Sequence, residues 1–188
     1  MIKINLRGIV ITSMILLAAF SRIIPHLPNF SPLGAIGLFG AAHFTQRWKA
    51  FLVPVAAAWL SDVYINNVIY HQYYPQFTWF YKGCMWQYGS YLAITLSGMY
   101  ILKRISIPRV VLASLVSTAI FFLISNFGVW LDSSLYPGSF EGLLLCYLAG
   151  IPFLSGTLMG DLAYSTILFI MFDFAQRRIP SLRSYASI

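Results

Sequence analysis

The chain has 188 residues, of which 59% are hydrophobic and only 9% are charged. A water-soluble domain carries roughly a quarter charged residues, so this composition excludes a disordered chain, a nucleic-acid-binding domain and almost any soluble enzyme. The net charge of +7 is typical of Lys and Arg at the membrane ends of helices. We therefore predict one all-α membrane domain over residues 1–188, a bundle of about six transmembrane helices.

Six apolar segments follow one another along the chain. We predict spans over residues 6–24, 33–44, 51–69, 83–102, 110–131 and 153–175. The first segment mimics a signal peptide but lacks a small-x-small cleavage site, so we interpret it as a retained helix. Three prolines within residues 25–32 break the chain before the short second segment. We expect an interfacial turn at residues 46–49, a loop over residues 132–150 with a short apolar segment at residues 143–148, and a polar basic tail from residue 176.

The basic residues predict an orientation. With six spans and a cytoplasmic N-terminus, ten of the twelve Lys and Arg residues lie on the inner side, and only Arg22 and Lys82 lie on the outer side. Cytoplasmic loops of membrane proteins carry an excess of Lys and Arg. The split therefore predicts that both termini are cytoplasmic.

Two aspartates, Asp62 and Asp161, fall inside predicted spans, where an ionisable group is costly unless it is paired or solvated. We expect them at similar depth, where two carboxylates could coordinate a cation, share a proton or bind a cationic ligand group. The alternative is structural: each accepts hydrogen bonds from neighbouring helices, or one of them pairs with Arg22. Asp173 lies near the inner end and is expected to pair with Arg177 at i+4.

Polar and aromatic residues concentrate toward the predicted outer face. Asp62 and Asn66 on helix three, and Asn126 and Trp130 on helix five, are four residues apart and share one side of each helix. The aromatic connector over residues 70–88 is interpreted either as an interfacial belt or as a lid over a flat ligand. The candidate ligand-binding residues are Asn29, Asp62, Asn66, Tyr73, Tyr74, Trp79, Asn126, Trp130 and Asp161.

Several other chemistries receive no support from the sequence. It lacks the common phosphate-binding, dinucleotide-binding, zinc-protease and serine-hydrolase motifs, so we predict no enzyme activity, catalytic residue or cofactor. His26 and His71 fall in outer loops without a third ligand close by, so we predict no metal site. Cys84 and Cys146 both fall near the outer face, which leaves a disulfide between them open.

Several motifs resemble a family of small bacterial membrane proteins with no assigned function, over nearly the whole chain. They are PNFSPLGAI at residues 28–36, SNFGVW at residues 125–130, and the pairs Ser61-Asp62 and Gly160-Asp161. More distantly, six short spans with a Gly/Ala-rich second helix and an acidic third helix are similar to the substrate-binding S components of energy-coupling-factor vitamin transporters. In those proteins the outer loops enclose a vitamin-sized ligand, and the inner faces dock on a transmembrane T component driven by ATPases.

The resemblance implies a ligand-capturing module in the bacterial cytoplasmic membrane, with a small molecule, the lipid bilayer and a T component with ATPase subunits as partners. Our leading hypothesis is accordingly a subunit that captures a small vitamin-like nutrient from the outer face. The alternatives are a stand-alone proton- or cation-coupled carrier that uses Asp62 and Asp161, and a non-transport scaffold or assembly protein.

Overall fold

The computed structural model describes residues 5–183, and within them the chain is all-helical, as predicted. The six α-helices are α1 (Leu6–Phe20), α2 (Leu33–His43), α3 (Arg47–Tyr64), α4 (Cys84–Ile101), α5 (Ile107–Asp132) and α6 (Phe140–Arg178). Short 3-10 segments cover Ser21–Ile23, His71–Tyr73 and Pro180–Leu182, and a π-helical segment, Ile65–Ile69, directly continues α3.

Four helical stretches are long and apolar enough to cross a membrane. They are Leu6–Ile23, Arg47–Ile69, α5 and α6. At 1.5 Å per residue, the 26 residues of α5 measure about 39 Å, more than the roughly 30 Å of a bilayer hydrocarbon core. Large apolar side chains such as Leu17, Leu123 and Ile170 remain more than half exposed on these helices. Such a surface is stable against lipid rather than water, which identifies a membrane protein.

Helix α2 is short and lies inside the bundle. Nine of its 11 residues are buried, and it contacts α1, α3, α4, α5 and α6. The small residues of α2 and its neighbours allow this close packing: a Cβ on Gly40 would lie 2.9 Å from Pro54 Cγ, and one on Gly98 would lie 3.0 Å from Ala41 Cβ. At about 17 Å, α2 covers only part of the membrane thickness.

The helices alternate in direction, which gives the bundle two distinct ends. The Arg7 guanidinium donates to the backbone carbonyls of His43 and Leu182, so the start of α1 lies beside the end of α2 and the segment after α6. At the opposite end, Trp86 Nε1 donates to Asp132 Oδ2 at 2.7 Å, which joins the start of α4 to the end of α5. We call these the Arg7 end and the Trp86 end.

The charges are distributed unequally between the two ends. Nine of the eleven Lys and Arg residues among residues 5–183 lie toward the Arg7 end, at or beyond the helix termini there. The two exceptions are Arg22 and Lys82. The predicted ion pair at the Arg7 end is confirmed, since Arg177 Nε donates to Asp173 Oδ2 at 2.9 Å.

The prediction for the last helix was wrong. Residues 140–150 are not a loop, because α6 is one continuous helix of 39 residues with Pro152 inside it. The apolar segment at residues 143–148 belongs to its early turns. Proline removes one backbone hydrogen bond, but packing against a neighbouring membrane helix compensates. Here α5 packs so closely that a Cβ on Gly150 would lie 2.5 Å from Asn126 Oδ1.

Other boundaries also differ from the prediction. The turn expected at residues 46–49 was wrong, because α3 already begins at Arg47. Helix α5 begins three residues earlier than predicted, since Pro108 is well suited to the first turn of a helix. The polar tail begins later, because α6 continues to Arg178, and residues 184–188 lie outside the described range. Cys84 and Cys146 are buried free thiols.

Candidate ligand-binding cavity

A cavity of about 670 Å³ lies toward the Trp86 end of the bundle. Its volume falls within the range of about 300–1,000 Å³ that is typical of small-molecule sites. Most of the wall is apolar, contributed by isoleucines and prolines of several elements. The polar and ionisable side chains of the wall are Arg22, His26, Asn29, Ser31, Tyr70, Gln87, Tyr91, Thr157 and Asp161.

The cavity exists because α2 begins deep in the bundle. The proline loop (residues 25–32) crosses from the end of α1 to the start of α2 and lines the space beyond the α2 N-terminus. Glycines of α6 let this loop pack closely against the helix: a Cβ on Gly156 would lie 2.1 Å from the Pro28 carbonyl oxygen, and one on Gly160 would lie 2.7 Å from Ser31 N. Asn29 adopts a left-handed conformation (φ 59°), which asparagine tolerates better than most residues.

Arg22, which is partly buried, and Asp62, which is buried, form an ion pair beside the cavity. Arg22 Nη1 donates to Asp62 Oδ1 at 2.6 Å and to Ser61 Oγ at 2.9 Å, and Tyr88 Oη donates to Asp62 Oδ2 at 2.9 Å. Arg22 Nε and Nη2 donate to no residue among residues 5–183, and Arg22 lines the cavity. Its guanidinium therefore keeps N–H groups for a ligand oxygen, and Asp62 holds it in place.

The polar wall on α4 is organised by Gln87. Its Oε1 accepts hydrogen bonds from Tyr81 Oη at 2.7 Å and Tyr91 Oη at 3.3 Å. Burial raises the pKa of the Tyr81 phenol, so this phenol stays protonated and donates. The Tyr91 ring is nearly parallel to that of Phe121, with an interplanar angle of 2° and centroids 6.0 Å apart. Both rings line the cavity and give it an aromatic wall.

Asp161 lines the cavity from α6 and is 1% exposed. Its Oδ2 accepts a hydrogen bond from Thr118 Oγ1 at 3.0 Å. Its Oδ1 lies beside the first turn of α2, 2.2 Å from the point where a Cβ on Gly34 would be. The partial positive charge at the start of a helix favours a carboxylate there.

Asp62 and Asp161 belong to separate networks. Asp62 is committed to Arg22 and Tyr88, whereas Asp161 contacts Thr118 and the start of α2. A shared proton or a cation bound by both carboxylates therefore finds no support in their hydrogen-bond partners.

Of the nine candidate residues from the sequence, Asn29 and Asp161 line the cavity. Asp62 contributes through Arg22, and Asn66 is buried in the π-helical segment. That segment interrupts the regular spacing of the predicted stripe, and Ile65, Ile69 and Tyr70 line the wall instead.

The other candidates lie elsewhere. Trp79 stacks on Trp59 with centroids 6.0 Å apart, and Tyr73 is 70% exposed; neither these nor Tyr74 lines the cavity. Asn126 Nδ2 donates to the Phe122 carbonyl at 2.8 Å, and Trp130 Nε1 donates to the Pro137 carbonyl at 2.9 Å. The last two residues therefore make contacts within the α5–α6 hairpin.

Sequence reasoning did not place Arg22 and Gln87 among the ligand-binding candidates. From the sequence, Arg22 is expected only as a structural partner for an aspartate, and Gln87 falls in the aromatic connector, where the rings are the more distinctive feature. The available signal was Arg22 itself, one of only two basic residues on the predicted outer side.

The sequence model of one protein family matches residues 2–182. The chain belongs to DUF6580, a family of unknown function. No curated protein and no solved structure is detectably similar to it. Membership in DUF6580 agrees with the expected resemblance to an uncharacterised family and assigns no activity to the cavity.

Proposed function

We propose that the protein is a membrane-embedded capture subunit that binds a small vitamin-like nutrient from the outer face for uptake. The observation that carries this proposal is the cavity of about 670 Å³ with the Arg22 guanidinium in its wall. A scaffold role does not account for a cavity of this size. A simple packing defect does not account for the ion pair beside it. A mostly apolar wall with a few convergent polar groups is the usual composition of a small-molecule site.

The proposed orientation places the cavity on the outer side of the bacterial cytoplasmic membrane. It rests on the concentration of Lys and Arg at the Arg7 end, because basic residues favour the cytoplasmic side. In this arrangement the chain crosses the membrane six times, α2 together with the proline loop counting as one crossing, and both termini are cytoplasmic.

A cysteine-labelling experiment tests the orientation. The variant His26→Cys introduces an exposed thiol in the proline loop, and Lys103→Cys introduces one at the opposite end. A membrane-impermeant maleimide added to intact bacterial cells, in which the inner membrane stays sealed, is expected to label position 26 and not position 103. The reverse pattern would overturn the orientation. The wild-type chain, whose two cysteines are buried, measures the background.

Ligand capture is tested on the purified full chain. We expect mass spectrometry to find a small molecule that co-purifies with the wild-type protein from cells grown in rich medium. Binding is then measured for Asn29→Gly, which removes a polar group of the cavity wall while glycine keeps the left-handed backbone without strain, and for Asn126→Ala, an asparagine outside the wall. We expect Asn29→Gly to weaken binding and Asn126→Ala to leave it unchanged. Absence of any ligand, with no thermal stabilisation across a vitamin panel, would overturn the proposal.

Transport distinguishes the capture subunit from a stand-alone carrier. The sequence contains no phosphate-binding loop, so uptake by a capture subunit needs an energising partner, for which the resemblance suggests a T component with ATPase subunits. In liposomes that contain this chain alone, we expect binding and no uptake. Uptake driven by an ion gradient would instead establish the carrier alternative.

A further inference from the structure

The carboxylate of Asp161 is buried without a positively charged partner. No Lys, Arg or His nitrogen among residues 5–183 lies within 4.0 Å of it, whereas Asp62 has Arg22. Asp161 is 1% exposed, and the side chains placed to donate to it within residues 5–183 are the hydroxyls of Thr118 and Ser117. A carboxylate offers about four acceptor positions, and an isolated buried charge is strongly unfavourable. A carboxylate in such a place is compensated either by a proton or by a bound cation.

Two hydroxyl groups, those of Ser117 and Thr118, lie near the same carboxylate. Ser117 Oγ is fully buried and makes no well-aligned hydrogen bond within residues 5–183. It lies 2.4 Å from the position that a Cβ on Gly34 would take, and Asp161 Oδ1 lies 2.2 Å from that same position. The absence of a side chain at Gly34 therefore leaves these two oxygens facing one small space.

Thr118 adds a further oxygen. Its Oγ1 lies 3.0 Å from Asp161 Oδ2 and 3.1 Å from the Ser114 carbonyl oxygen. A hydroxyl has a single proton and cannot donate to both. When that proton goes to the carbonyl, the hydroxyl oxygen and the carboxylate face each other as two acceptors, which a cation between them would stabilise.

We propose that Asp161, Ser117 and Thr118 form a sodium-binding site. A single carboxylate with neutral hydroxyl oxygens suits a hard monovalent cation, because divalent ions are usually held by more carboxylates. Since Asp161 also lines the cavity, the ion has an entry path from there. The sodium site is independent of which nutrient the cavity binds.

The test measures thermal unfolding of the purified full chain in sodium chloride, potassium chloride and choline chloride at equal ionic strength. A ligand that binds only the folded state raises the melting temperature, and we expect sodium to raise it by about 3 °C or more relative to choline. Asp161→Asn is expected to abolish this rise. In choline, Asp161→Asn should be at least as stable as the wild type, because it removes a buried charge that has no cationic side chain beside it.

Ser117→Ala is expected to raise the sodium concentration for half-maximal stabilisation at least about tenfold. Ser97→Ala is the matched control and should leave the sodium response unchanged, since Ser97 Oγ donates to the carbonyl of Ile94 in its own helix. An equal sodium response in the wild type and Asp161→Asn would overturn the site. So would a melting temperature that depends on pH but not on sodium, because Asp161 would then carry a proton. A sodium response in a protein that yields no co-purifying ligand and is stabilised by no vitamin would support the sodium site and overturn nutrient capture, so the two proposals fail separately.

Discussion

Gly34 and Asp161 approach each other so closely that a Cβ added to Gly34 would lie 2.2 Å from Asp161 Oδ1. The contact joins the first turn of the buried helix α2 to the middle of α6. It explains why the sequence has glycine there, since any side chain would meet either the carboxylate or Ser117.

Gly34→Ala is expected to destabilise the protein by about 1–3 kcal/mol, the usual cost of overpacking a core. The measurement is thermal unfolding in detergent. Gly89→Ala on α4 is the matched control, since nothing lies within 4 Å of a Cβ there, and alanine in a helix is favoured over glycine by about 1 kcal/mol. Gly34→Ala should therefore lower the melting temperature, and Gly89→Ala should raise it. Equal melting temperatures for both variants would contradict the packing of α2 against Asp161.

The ion pair between Arg22 and Asp62 gives a second prediction. Removing either partner alone leaves a buried charge without compensation, which typically costs about 3–5 kcal/mol. We expect Arg22→Gln and Asp62→Asn each to destabilise the protein strongly, and the double variant to be more stable than either. Unfolding free energies of the four proteins form a double-mutant cycle. Additive effects would show that the two side chains do not interact.

The fold could be predicted in outline because apolar segments of spanning length identify membrane helices by composition alone. The central, buried position of α2 could not be predicted. A helix that is apolar on all sides is compatible with both a lipid-facing and a central position. The break expected before Phe153 was wrong because Pro152 ends a helix only where neighbouring packing does not compensate. That packing, of Gly150 against Asn126, connects residues that are far apart in the sequence.

The sequence predicts how deep each candidate side chain lies in the membrane, but not which side of the bundle it faces. Positions along a helix locate Asp161 and Asn126 within the membrane, but the side of the bundle that each faces depends on neighbouring helices. Asp161 faces the cavity, whereas Asn126 faces Gly150 of the adjacent helix. Arg22 is at the end of the first apolar segment, where basic residues usually only anchor a helix at the interface.

The proline loop gives a third prediction. A Cβ on Gly156 would lie 2.1 Å from the Pro28 carbonyl oxygen, so Gly156→Ala must displace the loop from α6. We expect weaker binding of the co-purifying ligand, by about tenfold or more, with little change in the helical circular dichroism signal. Gly138→Ala, with open space around its Cβ, is the control and should bind as the wild type does. Unchanged binding in Gly156→Ala would mean that the loop is not part of the ligand site.

The last prediction concerns Arg7, which contacts three segments of the chain at the Arg7 end of the bundle. Its guanidinium donates to the backbone carbonyls of His43, at 3.1 Å, and Leu182, and its Cζ lies 5.2 Å from the centroid of the Phe172 ring. Hydrogen bonds that involve a charged group contribute about 1.5–3 kcal/mol. Arg7→Ala is therefore expected to lower the free energy of unfolding by at least that amount.

Arg7→Lys should recover only part of this loss, because lysine lacks the planar fork that donates to two carbonyls and stacks on a ring. Arg104→Ala, an exposed arginine at the same end, is the control and should change stability by no more than about 0.5 kcal/mol. If Arg7→Ala and Arg104→Ala were equally stable, Arg7 would serve only as a topology-determining charge. A larger effect of Arg7→Ala would instead show that it fastens the segment after α6 to the start of α1.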